Sequence, residues 1–329
     1  MEEQFEKVIR EIICGDSNKR PRFVVSSEER LLAKNEFTGD CVFVGTTERE
    51  NKRVIKQISF LSKKSGRSVR QTKNEIKHLR QIEHDAVITL IDDWNDDHNV
   101  YIMFPYYEQD LFSWMDQKQN GCESEELYVL YSRIISALEY IHHMRIWHMD
   151  IKPENILVKK NNLNSVVLTD FGSSISENNL SCGMYRGCVG SAGFASPEVF
   201  EKKPYYPGPC DYWSLGCTLV EMMWGWESFE MWVNCYKERC GTLDLSLPLE
   251  CFKQTTKESA MRTCIVQLLS ASPYNRCCLK EDLPFEDVDP RRLEDVRTHG
   301  RLCGGVFKAS TGETKISPII SFRTLPELT

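Results

Sequence analysis

The sequence has 329 residues, which is long enough for one large core or for a bilobal unit. Its hydrophobic content of 41% and charged content of 27% are ordinary for a globular protein. The 41 basic and 48 acidic residues give a net charge of −7, which argues against a general nucleic-acid-binding surface.

The first residues and the cysteines bear on the compartment. Residues 2–14 have the apolar spacing of a helix but lack the basic start of a signal peptide. No stretch approaches the roughly 18 apolar residues of a membrane helix, so membrane insertion is not expected. The 14 cysteines form no regular metal-ligand spacing, and we expect reduced thiols. These features predict a cytoplasmic or nuclear protein.

The next part of the chain has the pattern of β-strands with one helix. Residues 41–58 read as a hairpin with a polar turn between two apolar runs. Residues 68–82 have helical spacing. Two further runs, VITLID at 87–92 and NVYIMF at 99–104, predict a second strand pair around an acidic turn. This part is therefore expected to form a small β-rich half.

After Tyr107 the pattern becomes mainly helical. Apolar residues recur every three or four positions in DLFSWM at 110–115 and in the longer run at 127–143. Short strands are predicted around 155–171, and helices again from Asp211 to about Leu269. This larger half is expected to be α-helical.

Short motifs occur in a fixed order along both halves. They are VIK at 54–56, Glu75 on the following helix, HMDIKPEN at 148–155, DFG at 170–172, SPE at 196–198, DYWSLG at 211–216 and, further on, Arg276. In this order and spacing they resemble the eukaryotic protein kinases. The hinge segment QDL and the segment WSLGC are also similar to cyclin-dependent-type kinases, which is a hint at a subfamily.

The resemblance implies an α+β fold of two lobes. It covers about residues 30–285, with a small β-rich lobe with one main helix at about 30–104, a hinge at about 105–110 and a larger α-helical lobe at about 111–285. Residues 1–29 would form a helical extension and residues 286–329 a tail.

Four residues have the side chains that binding of Mg-ATP requires. Phosphoryl transfer depends on alignment and on neutralisation of charge. Lys56 on a strand can hold the ATP phosphates, and Glu75 on the facing helix can fix its ammonium group. Carboxylate and amide oxygens suit Mg²⁺, and Asp170 and Asn155 supply one each.

Two residues of HMDIKPEN are the predicted catalytic pair. Asp150 would orient the acceptor hydroxyl and receive its proton, and Lys152 would neutralise the transferred phosphoryl group. Lys152 after the catalytic aspartate, together with Ser191, resembles the serine/threonine pattern. The predicted function is a serine/threonine protein kinase that acts on protein substrates.

The resemblance also implies an adenine site at the hinge. Phe104 falls at the gatekeeper position, and Asp110 is placed to bond the ribose. The residues expected around the adenine are Val42, Val54 and Leu157 on its faces, with backbone groups of Pro105 and Tyr107 at its edge. Val54 replaces the alanine that is usual in the family.

Other motif residues are expected to be structural. Asp211 matches the aspartate that braces the catalytic loop, and His148 matches a stacked residue of the core. Glu198 and Arg276 match the buried ion pair of the family.

The phosphate-covering loop departs from the family pattern. Counting back from Val42, the three glycine positions fall on Asn35, Phe37 and Asp40, and Gly39 is one place out of register. Glycines there let backbone N–H groups approach the phosphates. Asp40 is expected to weaken ATP binding unless the loop is displaced. A small shift in alignment would instead make Gly39 the central glycine.

Met149 is the second departure. Most members have an arginine there, which pairs with a phosphate on the activation segment, and a thioether cannot form that pair. We therefore hypothesise that activity does not depend on that phosphate.

Two other functions stay open at this stage. The altered glycine loop favours a pseudokinase scaffold with weakened ATP binding, and a kinase acting on a small molecule is a third reading. The basic run at 63–80 is either a solvated helix face or a docking site for an acidic partner or a phosphorylated segment. A regulatory protein partner is possible.

Overall fold

A computed structural model describes most of the chain between residues 30 and 276. The described ranges are 30–34, 40–46, 51–59, 66–96, 98–118, 122–159, 162–201, 203–238 and 256–276. The predicted helix over 2–14, the loop positions Asn35, Phe37 and Gly39, and the predicted tail after 285 lie outside them. Within these ranges a β-rich lobe precedes a larger, mainly helical lobe, as predicted.

The small lobe is an antiparallel sheet of five strands with one helix. In chain order these are β1 Arg30–Lys34, β2 Cys41–Thr46, β3 Lys52–Ser59, helix α1 Gly66–Leu79, β4 Asp92–Asn95 and β5 Asn99–Pro105. The strand order across the sheet is β1-β2-β3-β5-β4. The predicted hairpin over 41–58 is confirmed as β2 and β3, and the predicted helix over 68–82 corresponds to α1.

The strand register separates the two faces of this sheet. Directly paired residues of neighbouring strands share a face, and Lys56 is paired with Val42 on β2 and with Ile102 on β5. Val54 is likewise paired with Phe104, so it lies on the same face two residues along. This face contains the lysine that contacts α1. The opposite face has its own buried cluster around Phe43, Ile55, Tyr101 and Met103.

The prediction of a strand over Val87–Asp92 is wrong. Val87 forms an isolated bridge with Leu168, and the Ile88 amide donates to the Leu168 carbonyl at 2.9 Å, so the start of this run attaches to the larger lobe. Near its end, the Ile91 amide donates to the Met103 carbonyl of β5 at 2.9 Å. The strand that pairs with β5 is Asp92–Asn95, in the stretch predicted as a turn. Trp94 fixes that register, because its ring stacks on Tyr101 at 5.2 Å.

The larger lobe consists of helices and three short strand groups. Its elements are β6 Gln109–Asp110, α2 Leu111–Asp116, α3 Ser124–His143, β7 Ile146–Trp147, β8 Ile156–Lys159, β9 Asn162–Leu168, β10 Ile175–Ser176, α4 Pro197–Phe200, α5 Pro207–Glu238 and α6 Thr256–Leu268. Single 3-10 turns cover Pro153–Asn155, Phe171–Ser173, Glu177–Asn179 and Pro273–Asn275.

Helices α3 and α5 form the core of this lobe. Along α3, buried apolar residues recur at helical spacing. They are Leu127, Leu130, Ile134, Leu138 and Ile141. Helix α5 is interrupted at Gly225, whose φ of 78° is a conformation that glycine adopts without strain. Among the described residues, no helix is long and apolar enough to span a membrane.

Candidate active site

Lys56 joins the two lobes through two carboxylates. Its Nζ lies 2.8 Å from Oε2 of Glu75 on α1 and 3.5 Å from Oδ1 of Asp170, which follows β9 in the larger lobe. Glu75 is buried, whereas 45% of the Asp170 side chain is exposed. Three residues separated by up to 114 positions in sequence therefore meet at one point.

The charges of this group are mutually dependent. Burial alone would lower the pKa of Lys56, but the carboxylates of Asp170 and Glu75 outweigh it and raise that pKa above its ordinary value. Burial raises the pKa of Glu75, and Lys56 partly opposes this rise. The Lys56 ammonium holds the pKa of Asp170 below its usual range. Lys56 is thus a fixed cation beside an exposed carboxylate.

A second polar cluster lies in the loop between β7 and β8. The Asn155 amide donates to the backbone carbonyl of Asp150 at 2.8 Å and to its Oδ2 at 3.1 Å. Lys152 Nζ is 3.4 Å from the same Oδ2 and donates to Ser191 Oγ at 2.6 Å. Within the described part of the chain, Asp150 Oδ1 is buried without a hydrogen-bond partner. That oxygen is an acceptor without a hydrogen bond from the described residues.

Asp211 holds this loop from beneath. Its Oδ1 accepts the Met149 amide at 2.7 Å, and its Oδ2 accepts the His148 amide at 2.9 Å and His142 Nε2 at 2.8 Å. The His148 ring packs edge-on against Phe171, with centroids 4.8 Å apart. The bracing role predicted for Asp211 and the stacked position predicted for His148 are both found.

The second predicted structural pair is also present. Arg276 Nη1 lies 2.6 Å from Glu198 Oε1, and Nη2 lies 3.1 Å from Oε2. The guanidinium lies over the Trp213 ring at 4.8 Å. This bidentate pair attaches α4, which follows the segment containing Ser191, to the end of the larger lobe.

Comparison with known sequences decides the family. A sequence model described as "Protein kinase domain" matches residues 38–284. The chain belongs to the protein kinase family.

The matched relatives are longer proteins. The kinase is 30% identical over 186 residues to serine/threonine-protein kinase Nek1 of Mus musculus, covering 56% of this chain and 15% of that protein. It is 29% identical over 213 residues to mitosis inducer protein kinase cdr1 of Schizosaccharomyces pombe, covering 63% and 34%. It is 32% identical over 171 residues to serine/threonine-protein kinase Nek5 of Mus musculus, covering 51% of this chain and 26% of that protein. The chain therefore spans about a third or less of each relative. None of the three bears a cyclin-dependent name, so that subfamily hint stays a prediction.

Members of this family use ATP and Mg²⁺, and two side chains of the kinase fit the metal. The exposed carboxylate of Asp170 and the amide of Asn155 supply oxygen donors, which a hard cation prefers. Both side-chain hydrogen bonds of Asn155 use its nitrogen, and its side-chain oxygen accepts none from the described residues. The donor set is therefore free to face a cation.

The adenine-site residues lie along the line between the lobes. Val42 and Val54 are on the sheet face that carries Lys56, and Phe104 is buried on β5 at the same face. Pro105 ends β5, and Tyr107 follows it at half-burial. Leu157 lies on β8, opposite Asp110 of β6. Their contacts with adenine stay predictions.

Asp110 has a structural role in addition to the predicted one. Its side chain is completely buried, and its Oδ1 accepts the Ser113 amide at 2.6 Å, which caps α2. A carboxylate that has no exposed surface cannot reach a ribose without rearrangement. The cap uses only Oδ1, and the contact of Asp110 with the ribose stays a prediction.

Asp40, which the sequence placed near the ATP phosphates, is held by a hydrogen bond to the end of β3. It is 9% exposed, and its Oδ1 accepts the Ser59 amide at 3.0 Å, at the end of β3. The carboxylate is thus engaged inside the sheet. The predicted weakening of ATP binding by Asp40 stays a prediction, because the neighbouring loop positions lie outside the described residues.

Met149 packs into an apolar cluster, which we call the Met149 cluster. Its buried members are Trp147, Met149, Ile175, Ala195, Val199, Tyr205 and Cys210, and the half-buried Leu180, Tyr185 and Val189 pack against them. Five of these residues, Ile175, Leu180, Tyr185, Val189 and Ala195, lie between Asp170 and Glu198, in the activation segment. The thioether therefore contacts the segment that an arginine would contact through a phosphate.

The structure contains a polar network that was not predicted from the sequence. Helix α1 contacts the residues after DFG through His78 and Asn74, which both bond to Ser174. Asn74 and His78 are four positions apart and flank Glu75, so helical geometry placed them on a face near the site. Nothing in the sequence indicated that Ser174 would be their partner.

Proposed function

We propose that this kinase transfers the γ-phosphoryl group of Mg-ATP to serine and threonine hydroxyls of proteins. The observation that carries the proposal is the position of Lys56 Nζ between Glu75 and Asp170. This arrangement supplies a fixed cation for phosphates beside a carboxylate for a metal, from two lobes that face a common cleft.

Each member of the nucleotide site has one task. Lys56 binds the ATP phosphates, and Glu75 keeps its long side chain in position. Asp170 and Asn155 hold Mg²⁺. The bound metal supplies positive charge that neutralises the phosphate oxygens during transfer. Val42, Val54 and Leu157 cover the adenine, and Pro105 and Tyr107 offer it backbone groups.

Asp150 and Lys152 act on the acceptor. The partnerless Oδ1 of Asp150 accepts the substrate hydroxyl, orients its oxygen and receives its proton. Burial opposes the charge on Lys152, but the carboxylates of Asp150, Glu154 and Asp170 raise its pKa, so it stays cationic. A cation there neutralises the phosphoryl group as it moves.

The acceptor class follows from the Lys152 contact. Its bond to Ser191 Oγ at 2.6 Å ties the catalytic loop to the segment that would receive a substrate peptide. This is the serine/threonine arrangement that the sequence predicted, and the relatives described above bear serine/threonine names.

The proposal includes activity without a phosphate on the activation segment. Met149 and the cluster around it hold that segment through apolar packing, which needs no charged group. Met149 itself offers no cation, so a phosphate on the segment would gain no ion pair at this position.

A radiolabelled transfer assay tests this function. Wild type is compared with Asp150→Asn on a generic protein acceptor, with Asp116→Asn as a matched control because Asp116 is exposed on α2. We expect Asp150→Asn to lose about 10²- to 10⁴-fold in rate and the control to lose none. Equal transfer by wild type and Asp150→Asn would refute the assignment of the base.

A thermal-shift measurement separates a kinase from a scaffold. ATP should raise the melting temperature more with Mg²⁺ than without it, and Asp170→Asn should abolish that difference. The absence of both a nucleotide shift and transfer would favour the pseudokinase reading.

A further inference from the structure

Helix α1 approaches the turn after Asp170 very closely. A Cβ on Gly172 would lie 3.3 Å from the Gln71 Cβ of α1 and 3.1 Å from the Asp170 carboxylate. Asp170 itself has a φ of 62°, a left-handed conformation that needs support from its surroundings. The position of α1 and the conformation of the DFG turn are therefore linked by direct contact.

Ser174 lies at the centre of the contact. Its hydroxyl donates to the Phe171 carbonyl, and its Oγ is 2.6 Å from His78 Nδ1. Because the one hydroxyl proton is given to Phe171, His78 must donate from a protonated Nδ1. The Ser174 carbonyl in turn accepts from the Asn74 amide. We call these three residues, Asn74, His78 and Ser174, the Ser174 network.

The network is buried and specific. His78 and Ser174 are 1% and 2% exposed. Loss of one partner would leave a polar group without a hydrogen bond in a dry environment, which is costlier than loss of a surface contact. The same helix also carries Glu75, one residue after Asn74, whose carboxylate holds Lys56.

We propose that Asn74, His78 and Ser174 are positioning residues for phosphoryl transfer. They connect helix α1, whose Glu75 orients Lys56, with the turn that contains Asp170. The positions of the two carboxylates that contact Lys56 therefore depend on each other. This inference rests on the proposed kinase function. It adds that the hydroxyl group of Ser174, two residues after DFG, fixes the active arrangement through its hydrogen bond with His78 of α1.

The test is a double-mutant cycle measured in kcat. His78→Leu and Ser174→Ala should each lower kcat about tenfold, and the double variant should lose no more than either single one. The KM for the acceptor should stay within about twofold, because the network does not touch the acceptor. His78→Asn keeps a donor near Nδ1 and should restore kcat to within about threefold of wild type.

Controls distinguish positioning from stability. Lys77→Gln changes an exposed residue of the same helix and should leave kcat unchanged. Asn74→Leu removes the second contact from a half-buried position, so it gives a folded variant if Ser174→Ala melts, with kcat expected about fivefold lower. Single variants that melt lower but keep wild-type kcat would overturn the proposal, as would losses that multiply in the double variant.

The outcome is separable from failure of the proposed function. Transfer by wild type that depends on Asp150 establishes the kinase activity first. Full activity in all network variants would then refute the network alone, whereas absence of transfer by wild type would refute the kinase function.

Discussion

Asp150 and Met149 are neighbours in sequence but face opposite environments. The Asp150 carboxylate lies among amide, ammonium and hydroxyl groups near the cleft, and one of its oxygens lacks a partner in the described structure. The Met149 side chain is 3% exposed and lies among apolar residues of the activation segment. One side of this loop thus carries the charged groups for catalysis, and the other packs against the activation segment through apolar contacts.

The two sides should respond to different changes. A polar site loses function when a charge or donor is removed, even if its shape is kept. An apolar cluster tolerates a change of atom type at equal volume but not an unpaired charge. Substitutions that preserve one property and remove the other therefore test whether the division is real.

The largest expected effect is on the polar side. Asp170→Asn keeps the shape of the side chain but removes the charge facing Lys56 and the metal, and should lower transfer by about 10²- to 10³-fold. Because the side chain is 45% exposed, the melting temperature should change little. Initial rates at saturating Mg-ATP, together with melting curves, check this expectation. A rate above one-tenth of wild type would contradict the metal-binding role.

Met149→Arg should act on stability first. It places a guanidinium in a cluster whose described members have no carboxylate, and should lower the free energy of unfolding by at least about 3 kcal/mol. Met149→Leu has a similar volume and should cost less than about 1.5 kcal/mol. Urea denaturation of both variants measures the difference. Equal stability of the arginine and leucine variants would show that the cluster is open to solvent.

His78 should make stability depend on pH. Burial, with a smaller effect of Lys77, lowers its pKa from 6.5 to about 4. The unfolded chain therefore takes up a proton at higher pH than the folded one, and the free energy of unfolding should fall as the pH drops from about 6.5 to 4. The loss attributable to this group is up to about 3 kcal/mol. His78→Asn should have a flatter profile in this window, measured by urea denaturation; parallel profiles would contradict the burial of a neutral imidazole.

The smallest expected effect is that of a phosphatase. Wild type treated with a nonspecific phosphatase should change in rate by less than about twofold, because position 149 offers no cation to a phosphate. Mass spectrometry of the activation segment must show that the treated sample carries no phosphate. Loss of activity on treatment would show that the apolar cluster is insufficient to hold the segment.

The sequence predicted the catalytic groups better than their surroundings. Lys56, Glu75, Asp150, Asn155 and Asp170 could be found because phosphoryl transfer restricts both residue type and order. Their roles in binding and catalysis remain proposals, but the structure brings them together in the two clusters described above.

The errors arose where several residue types satisfy the same pattern. For Asp110 the sequence prediction named only the ribose contact, which is untested, and missed that a carboxylate before a helix is also a cap. The apolar run at 87–92 has strand-like composition, but its start is hydrogen-bonded to Leu168 in the other lobe. Ser174 was one of several loop serines, and only the fold placed His78 beside it. Partners distant in sequence leave no local signal.

Asp211 gives the catalytic loop an unusual dependence. Asp211 lies near the beginning of α5, and its carboxylate accepts hydrogen bonds from the backbone amides of His148 and Met149. Met149 has a φ of 68°. Opening of the loop at these residues therefore breaks two charge-assisted hydrogen bonds to one buried carboxylate of α5. Hydrogen exchange at His148 and Met149 should be as slow as exchange in the α5 core, which would make this part of the active site among the last regions of the protein to open.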